Sequence, residues 1–511
     1  MSTTRRRFLQ VSALAGTVSA APARALAASP DRPATSALVG AQNGGQDAIV
    51  DLVNFALSTR YEDLSQEVID FTKMQILDTI GVSYAAINAP GVEQLRAHVR
   101  EMAGKAESTV WGTNRKVPAQ NAALVNGTMS HALDYDDIYE PAYLHAAVIT
   151  VPAAVTLSEI APSVTGKELI AGIAAAVDVG CRLALAAQPG KDGLAIGWHN
   201  TTLYGYFTTA ILASRMLGLT PEQTVYATGI SFHQAAGNSQ THLDGALTKR
   251  MGPGFASSTG INAARLARLG ITGPRHILEG KKGFFVQYHH GDYSRDILLD
   301  GLGKKFSVTD TAFKPWPSCR GSHTAVEGAL GLRAEHKFAA QDVANVMVYN
   351  GPGEYSLLAS PIEKKRNPQT VVDAQFSNPW VIATAFVDGE VSLRHFTDRG
   401  IQRADIREMA QRINSREDTS LVRKGGGPGA TRVEVELRNG KKLSRTVAVA
   451  KGEPRNPLSS AEFGQKFLDC MSYGGMKVDA ARQLMVMING LESLGSAADI
   501  PRRLGSPGKS L

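Results

Sequence analysis

The stretch KELIAGIAAAVDVGCRLALAA, residues 167–187, is apolar nearly all the way round. A helix of that kind buries every face, so it belongs at the centre of a helical bundle or inside a membrane. Asp178 and Arg182, four apart on one face, count against the membrane. The rest of the fold must then supply helices able to surround it. In DLSQEVIDFTKMQILDTIGVSYAA, Val68, Phe71, Met74 and Leu77 recur at helical spacing behind a capping pair at Asp63 and Gln66. VPAQNAALVNGTMSHALDYDD opens with Pro118 in its first turn, and its Ala, Gly and Ser residues permit close packing. LYGYFTTAILASRMLGLT continues the pattern, with Gly218 as its stop.

The texture changes after LARLGITGPRHILEG. Strand-like alternation appears in VANVMVYNG, and TRVEVELRNGKKLSRTVAVAKG reads as a hairpin with a tight two-residue turn at Asn439-Gly440. Helical signals return from NPLSSAEFGQKFLDCMSY. A chain of 511 residues is too long for a single core. The expected fold class is mainly α with an α+β part. The expected division is helical over 46–272, α+β over 273–452 and helical again over 453–511.

The N-terminus reads as targeting rather than structure. Thr4-Arg5-Arg6-Arg7-Phe8-Leu9-Gln10 resembles a twin-arginine export signal, and Ala25-Leu26-Ala27 offers a small-x-small cleavage site. The Ala-rich run between them is too short and too weakly apolar for a stable membrane anchor. Residues 1–27 are therefore expected to be a signal peptide read by the twin-arginine machinery, 28–45 a flexible leader, and the mature protein periplasmic. Losing 1–27 removes four arginines and no acids, so the formal charge falls from +7 to +3. Little then supports nucleic-acid binding, which wants a concentrated basic face. Three cysteines, Cys181, Cys319 and Cys470, allow one disulfide at most, so the chain does not rely on them.

Common catalytic signatures, HExxH, GxSxG, the P-loop and a strand-linked GxGxxG, do not occur. The candidate chemistry lies in polar residues within apolar surroundings. HALDYDDIYEPAYLH packs His131, Asp134, Asp136, Asp137 and His145 into fifteen positions. It reads as a metal site, an acid–base site or the polar end of a buried helix. The metal reading lacks a recognised ligand spacing and the glycine of a calcium loop. His131 and Asp134, three apart, would share a helix face. His199 follows Trp198. Lys249 and Arg250 read as cations closing a small-residue helix. AFKPWPSCRGSH brings Lys314, Cys319, Arg320 and His323 to a rigid turn before a helix, a setting for an anion or for a Cys–His nucleophile.

NGTMSHALDYDD, GWHNTT with MLGLT, TKRMGPGFASSTG with LARLGITGP and ILEGKKGFF, FKPWPSCRGSH and DAQFSNP follow one another in that order. Together they resemble the MmgE/PrpD family, which includes 2-methylcitrate dehydratase, cis-aconitate decarboxylase and iminodisuccinate epimerase. The resemblance runs over residues 46–490. It implies a helical domain built from both chain ends, an inserted α+β lid domain, and a homodimer with its site in the cleft between domains. It also implies an enzyme without cofactor or metal that acts on a small polycarboxylate by dehydration or decarboxylation, or as an epimerase. Asp134, His145, His199, Lys249, Lys314 and Tyr355 match the family's site positions, with Arg250, Cys319 and Arg320 expected at the substrate. Two positions depart from the pattern. Met251-Gly252 stands where many members have a histidine, and Cys319 stands where the decarboxylase-like pattern has one. A binding protein of another class would share the export signal and a cationic cleft without turnover. A metal-dependent hydrolase would be stopped by chelators.

Overall fold

In the computed structural model the described residues are 45–187, 197–423 and 427–505. The proposed signal peptide and nearly all of the leader lie outside them. The helix Gly166–Ala186 forms where expected, capped by the Thr165 hydroxyl, which accepts from the Glu168 N–H at 3.2 Å. Almost all of it is buried inside the protein. Its two charges are not stray. Asp178 and Arg182 pair at 2.6 Å. Asp178 accepts from the Ser307 N–H at 2.8 Å, and Arg182 donates to the Asp300 carbonyl at 2.7 Å. The pair thus clamps an adjoining loop with its own charges satisfied, which makes its burial tolerable.

Close approach between helices follows from small residues. The helix Ala119–His131 crosses Thr248–Arg268 at Gly127 and Gly254, where a Cβ on Gly127 would sit 2.9 Å from the Gly254 Cα. Helix Gln66–Ala85 packs on the same body, but its cap is not the expected Asp63. The cap is Ser65, whose hydroxyl accepts from Val68 N–H at 3.3 Å, while Asp63 turns back onto Arg60. Near the chain's end, Ser460–Tyr473 returns to Gln66–Ala85, with Phe467 against Gly81 and Lys466 2.6 Å from the buried Asp78. Between 273 and 312 the chain stays on the helical body: the Ala48 N–H reaches Glu279, and Arg295–Leu299 packs on Gly166–Ala186.

The α+β part holds a four-stranded sheet in the order Ile413–Glu417, Val343–Asn350, Thr431–Leu437, Lys442–Val447. The first pair is parallel and the other two antiparallel. Helices His323–His336 and Asn378–Asp388 cover one face, around Trp380, Phe386, Val346 and Val433. The hairpin at Asn439-Gly440 is present, with a different turn. Leu437 N–H donates to Lys441 O at 2.9 Å, so three residues lie in the loop rather than two, and Gly440 takes a φ of +83°. Glycine at the left-handed position of a three-residue loop is the next most common hairpin solution. The fold class is mainly α with an α+β part.

One short ladder matters more than its size. Ile138–Tyr139 pairs antiparallel with Thr311–Ala312. It fastens the 131–145 segment to the strand that precedes Lys314.

Candidate functional site

Helix Ala119–His131 ends at His131, and three residues later Asp134 takes a φ of +51°. A non-glycine residue pays for that conformation, so the surroundings must hold it there. They do so through two ammoniums. Lys249 Nζ donates to Asp134 Oδ2 at 3.1 Å. Lys314 Nζ donates to Oδ1 and, at 3.0 Å, to the Asp134 main-chain oxygen. All three side chains are buried. Burial alone would raise the Asp134 carboxyl, but Lys249 and Lys314 outweigh it and hold it well below the carboxylate range. Burial would lower Lys314, and Asp134 and Asp136 reverse this and hold it above the ordinary lysine value. Lys249 lies in the first turn of Thr248–Arg268, at the helix's N-terminal end, not at a C-terminal end as expected. A cation there opposes the helix dipole, which makes Asp134 its necessary partner.

Asp136 and Asp137 sit deeper. Asp136 Oδ2 is 2.9 Å from His131 Nδ1 and 2.7 Å from His145 Nδ1. The His145 Nδ1 also lies 2.6 Å from the Asp137 carbonyl oxygen. Both neighbours of His145 Nδ1 can only accept, so Nδ1 carries the proton and Nε2 is the nitrogen open to chemistry. The same logic holds for His131, pushed down to about 3 by burial and by Lys249, and therefore neutral at pH 7. Its Nε2 has no partner among the described residues. His199 Nδ1 lies 2.6 Å from the Thr202 hydroxyl, and burial holds that ring well below its usual value. Asp137 accepts from Gln75 at 2.8 Å, and burial beside Asp78 and Asp136 raises it far above an ordinary carboxyl.

The structure therefore brings Asp134, His145, His199, Lys249 and Lys314 together. It adds Asp136 and His131, which lie in the same segment but are given no role by the family resemblance, and His242, which no motif marks. The His242 ring lies 5.1 Å from His199 and 5.9 Å from Phe376. Phe376, within DAQFSNP, also stands 5.6 Å from Lys249 Nζ, and the adjoining Gln375 donates to the Leu133 carbonyl at 2.6 Å.

Other expected residues have different duties. Arg320 is not free for substrate, because it pairs with buried Glu140 at 2.6 Å and donates to the Lys451 carbonyl at 2.7 Å. Arg250 donates to the Pro90 carbonyl at 3.1 Å. Among the described residues, no hydrogen bond or ring contact joins Tyr355, on helix Pro352–Leu358, to the cluster. The Cys–His nucleophile does not form. His323 faces Arg320 through Nδ1 at 3.2 Å and the Ser318 carbonyl through Nε2 at 3.2 Å. Burial, then Asp134, pushes the Cys319 thiol up to about 11. Cys319 is accordingly expected to resist iodoacetamide at pH 7.5, since the thiolate is the nucleophile. Mass mapping after alkylation checks this, and rapid labelling of Cys319 in the folded protein would contradict it.

Ligand atoms of His131, Asp136 and His145 lie within 4.8 Å of one another, a possible metal trio. They bond to each other instead, and the ammoniums of Lys249 and Lys314 beside them oppose a cation.

The family model for the MmgE/PrpD N-terminal domain matches residues 50–296, and that for the C-terminal domain matches 316–489. The chain belongs to the MmgE/PrpD family. Similar proteins within it include the cis-aconitate decarboxylase-like protein oryM of Aspergillus oryzae, 25% identical over 89% of this chain and 96% of that one. Human cis-aconitate decarboxylase is 25% identical over 87% of this chain and 92% of its own length. The 2-methylcitrate dehydratase of Cupriavidus necator is 23% identical over 73% of this chain and 78% of its own. In this MmgE/PrpD chain the fold converges on Asp134, its two lysines and the histidines around Asp136.

Proposed function

We propose that the protein is a cofactor-independent lyase that decarboxylates or dehydrates a small polycarboxylate. The observation that carries this is the pair of buried ammoniums on Asp134 beside His145. Two ammoniums have six N–H donors. Three are directed at Asp134, which leaves three for substrate carboxylates. Such charge-assisted bonds strengthen as negative charge builds on a carboxylate-stabilised, enolate-like intermediate. His145 or His199 acts as the general acid or base.

In a decarboxylation the bond to one carboxylate breaks and carbon dioxide leaves. The electron pair stays on the substrate, and the imidazole, having taken a proton from solvent on Nε2, gives that proton to carbon. In a dehydration the imidazole takes the α-proton, and an acid protonates the departing hydroxyl. The named relatives include a decarboxylase covering 87% of this chain and a dehydratase covering 73% of it, which supports either reaction on this site.

Proton NMR of the purified enzyme with citrate, methylcitrate, cis-aconitate and iminodisuccinate in deuterated water tests the reading. Loss of carbon dioxide or water from one of them, unaffected by EDTA, is expected. Deuterium exchange with no net loss would make the enzyme an epimerase, and binding without turnover would make it a carboxylate-binding protein.

We further infer that residues 1–27 direct twin-arginine export to the periplasm and that the mature protein works as a homodimer. The Thr4–Gln10 pattern supports the first and the family resemblance the second. Fractionating cells that express the full chain, and light scattering of the mature form, check these points. A cytoplasmic or monomeric protein would contradict them.

A further inference from the structure

The cluster is balanced in charge before any substrate arrives. Lys249 and Lys314 stand beside Asp134 and Asp136. Of the nearby arginines, Arg320 is neutralised by Glu140, while Arg250, held on the Pro90 carbonyl, keeps a single positive charge. A polycarboxylate entering this site brings more negative charge than Arg250 alone can cancel, and burying uncancelled charge is costly. Compensation has to come with the ligand, in the form of protons.

Four imidazoles form a string that can receive them. Ring centroids are 4.9 Å apart for His145 and His131, 5.8 Å for His131 and His199, and 5.1 Å for His199 and His242. The first three are each held through Nδ1, by Asp136 or by Thr202. His242 differs, for it sits half-buried on the short helix Gln240–Leu243, which turns against Phe376. Its Nδ1 lies 3.3 Å from the Ser239 carbonyl, which can only accept. Nδ1 therefore bears a hydrogen, and Nε2 is where a second proton goes.

The groups around His242 come from every neighbouring element. Helix Thr248–Arg268 presents Lys249, the 131–145 segment presents Asp134 and His145, and the start of helix Asn200–Met216 presents His199. Phe376 adds a ring without charge. In the free protein burial, and then Lys249, push His242 down to about 4, so it is neutral at pH 7. Carboxylates bound on Lys249 reverse the sign of that field.

We propose that His242 is a further substrate-site residue, which takes up a proton as a polycarboxylate binds and pairs with one of its carboxylates as imidazolium. The proton comes from the buffer and returns to it when the ligand leaves. This inference deepens the lyase reading and rests on its polycarboxylate substrate.

The test uses tricarballylate, a tricarboxylate with neither double bond nor hydroxyl, at pH 7.5. Calorimetry in buffers of different ionisation enthalpy reports protons taken up per ligand bound. The wild type is expected to take up roughly one, and His242→Gln to lose most of that uptake and to bind about tenfold more weakly. NMR titration of the wild-type histidines should place His242 at about 4 alone and above about 8 with tricarballylate, as an uptake of roughly one proton at pH 7.5 requires. Equal uptake and equal affinity in the two proteins, or a neutral His242 in the complex, would overturn the assignment while leaving the lyase reading in place. Failure of tricarballylate to bind the wild type would remove both.

Discussion

Asp134→Asn is expected to lose both stability and turnover, because one carboxylate serves two buried ammoniums. The substitution keeps the shape and removes the charge. Lys249 and Lys314 are then left as buried like charges, with an amide in place of their counter-ion. Removing one partner of a buried pair typically costs about 3–5 kcal/mol. The left-handed backbone at Asp134, secured by the same contacts, loses its restraint too. A fall in the urea midpoint corresponding to about that cost, with the m-value unchanged, is the stability result.

The pH dependence has a definite sign. The folded Asp134 carboxyl lies well below its unfolded value. Its stabilisation is therefore fully present above about pH 4–5 and fades as pH falls through the folded value. The asparagine variant should lose most relative to wild type at pH 7 and least in strong acid. In kcat/KM the expected loss is at least about 10²-fold, as for other preorganised electrostatic groups. A variant as stable as wild type at pH 7 would show that the two lysines do not depend on Asp134.

The central helix and the fold class were legible because they rest on periodicity over many residues, and periodicity survives uncertainty about any one residue. Gly166–Ala186 needed only its own composition to be placed inside a bundle. The site was legible in a different way. The residues that met at Asp134 come from short motifs at 134, 145, 199, 249 and 314, so order along the chain carried information that spacing alone did not.

Spacing failed where the helix stopped. His131 and Asp134, three apart, would share a face if the helix continued. It ends at His131, Asp134 swings to the lysines, and Asp136 returns to His131 instead. Arg320 looked free for an anion because its partner, Glu140, lies 180 residues earlier in the chain. His242 carried no signal at all. It stands in SQTHLDGAL, a polar stretch between helices, and only the folded chain sets it beside His199.

His145→Ala is expected to reduce kcat/KM by about 10²–10⁴-fold, the range for a positioned acid or base. Stability should fall less than in Asp134→Asn. The ring is 13% exposed, and its one Nδ1–H is shared between Asp136 and the Asp137 carbonyl, worth about 1.5–3 kcal/mol at most for a bond to a charged group. Turnover and unfolding therefore separate in this variant, unlike in Asp134→Asn.

The sharper comparison is with Asp136→Asn, which leaves the imidazole in place and changes what holds it. Asp136 accepts from Nδ1 of both His131 and His145, so it fixes both rings with Nε2 available. An asparagine can turn its amide N–H toward Nδ1, which, against the hold of the Asp137 carbonyl on that proton, favours moving it to Nε2 and closing the nitrogen that does the work. Losing an aspartate that fixes a histidine tautomer can cost about 10⁴-fold. If Asp136 positions His145 in this way, its loss should appear in kcat with KM little changed. The nitrogen-15 shifts of His145 should report the proton on the other nitrogen. Unchanged shifts with full activity would leave Asp136 a packing residue, and would move the acid–base role from His145 to His199, whose Nδ1 is held by Thr202 instead.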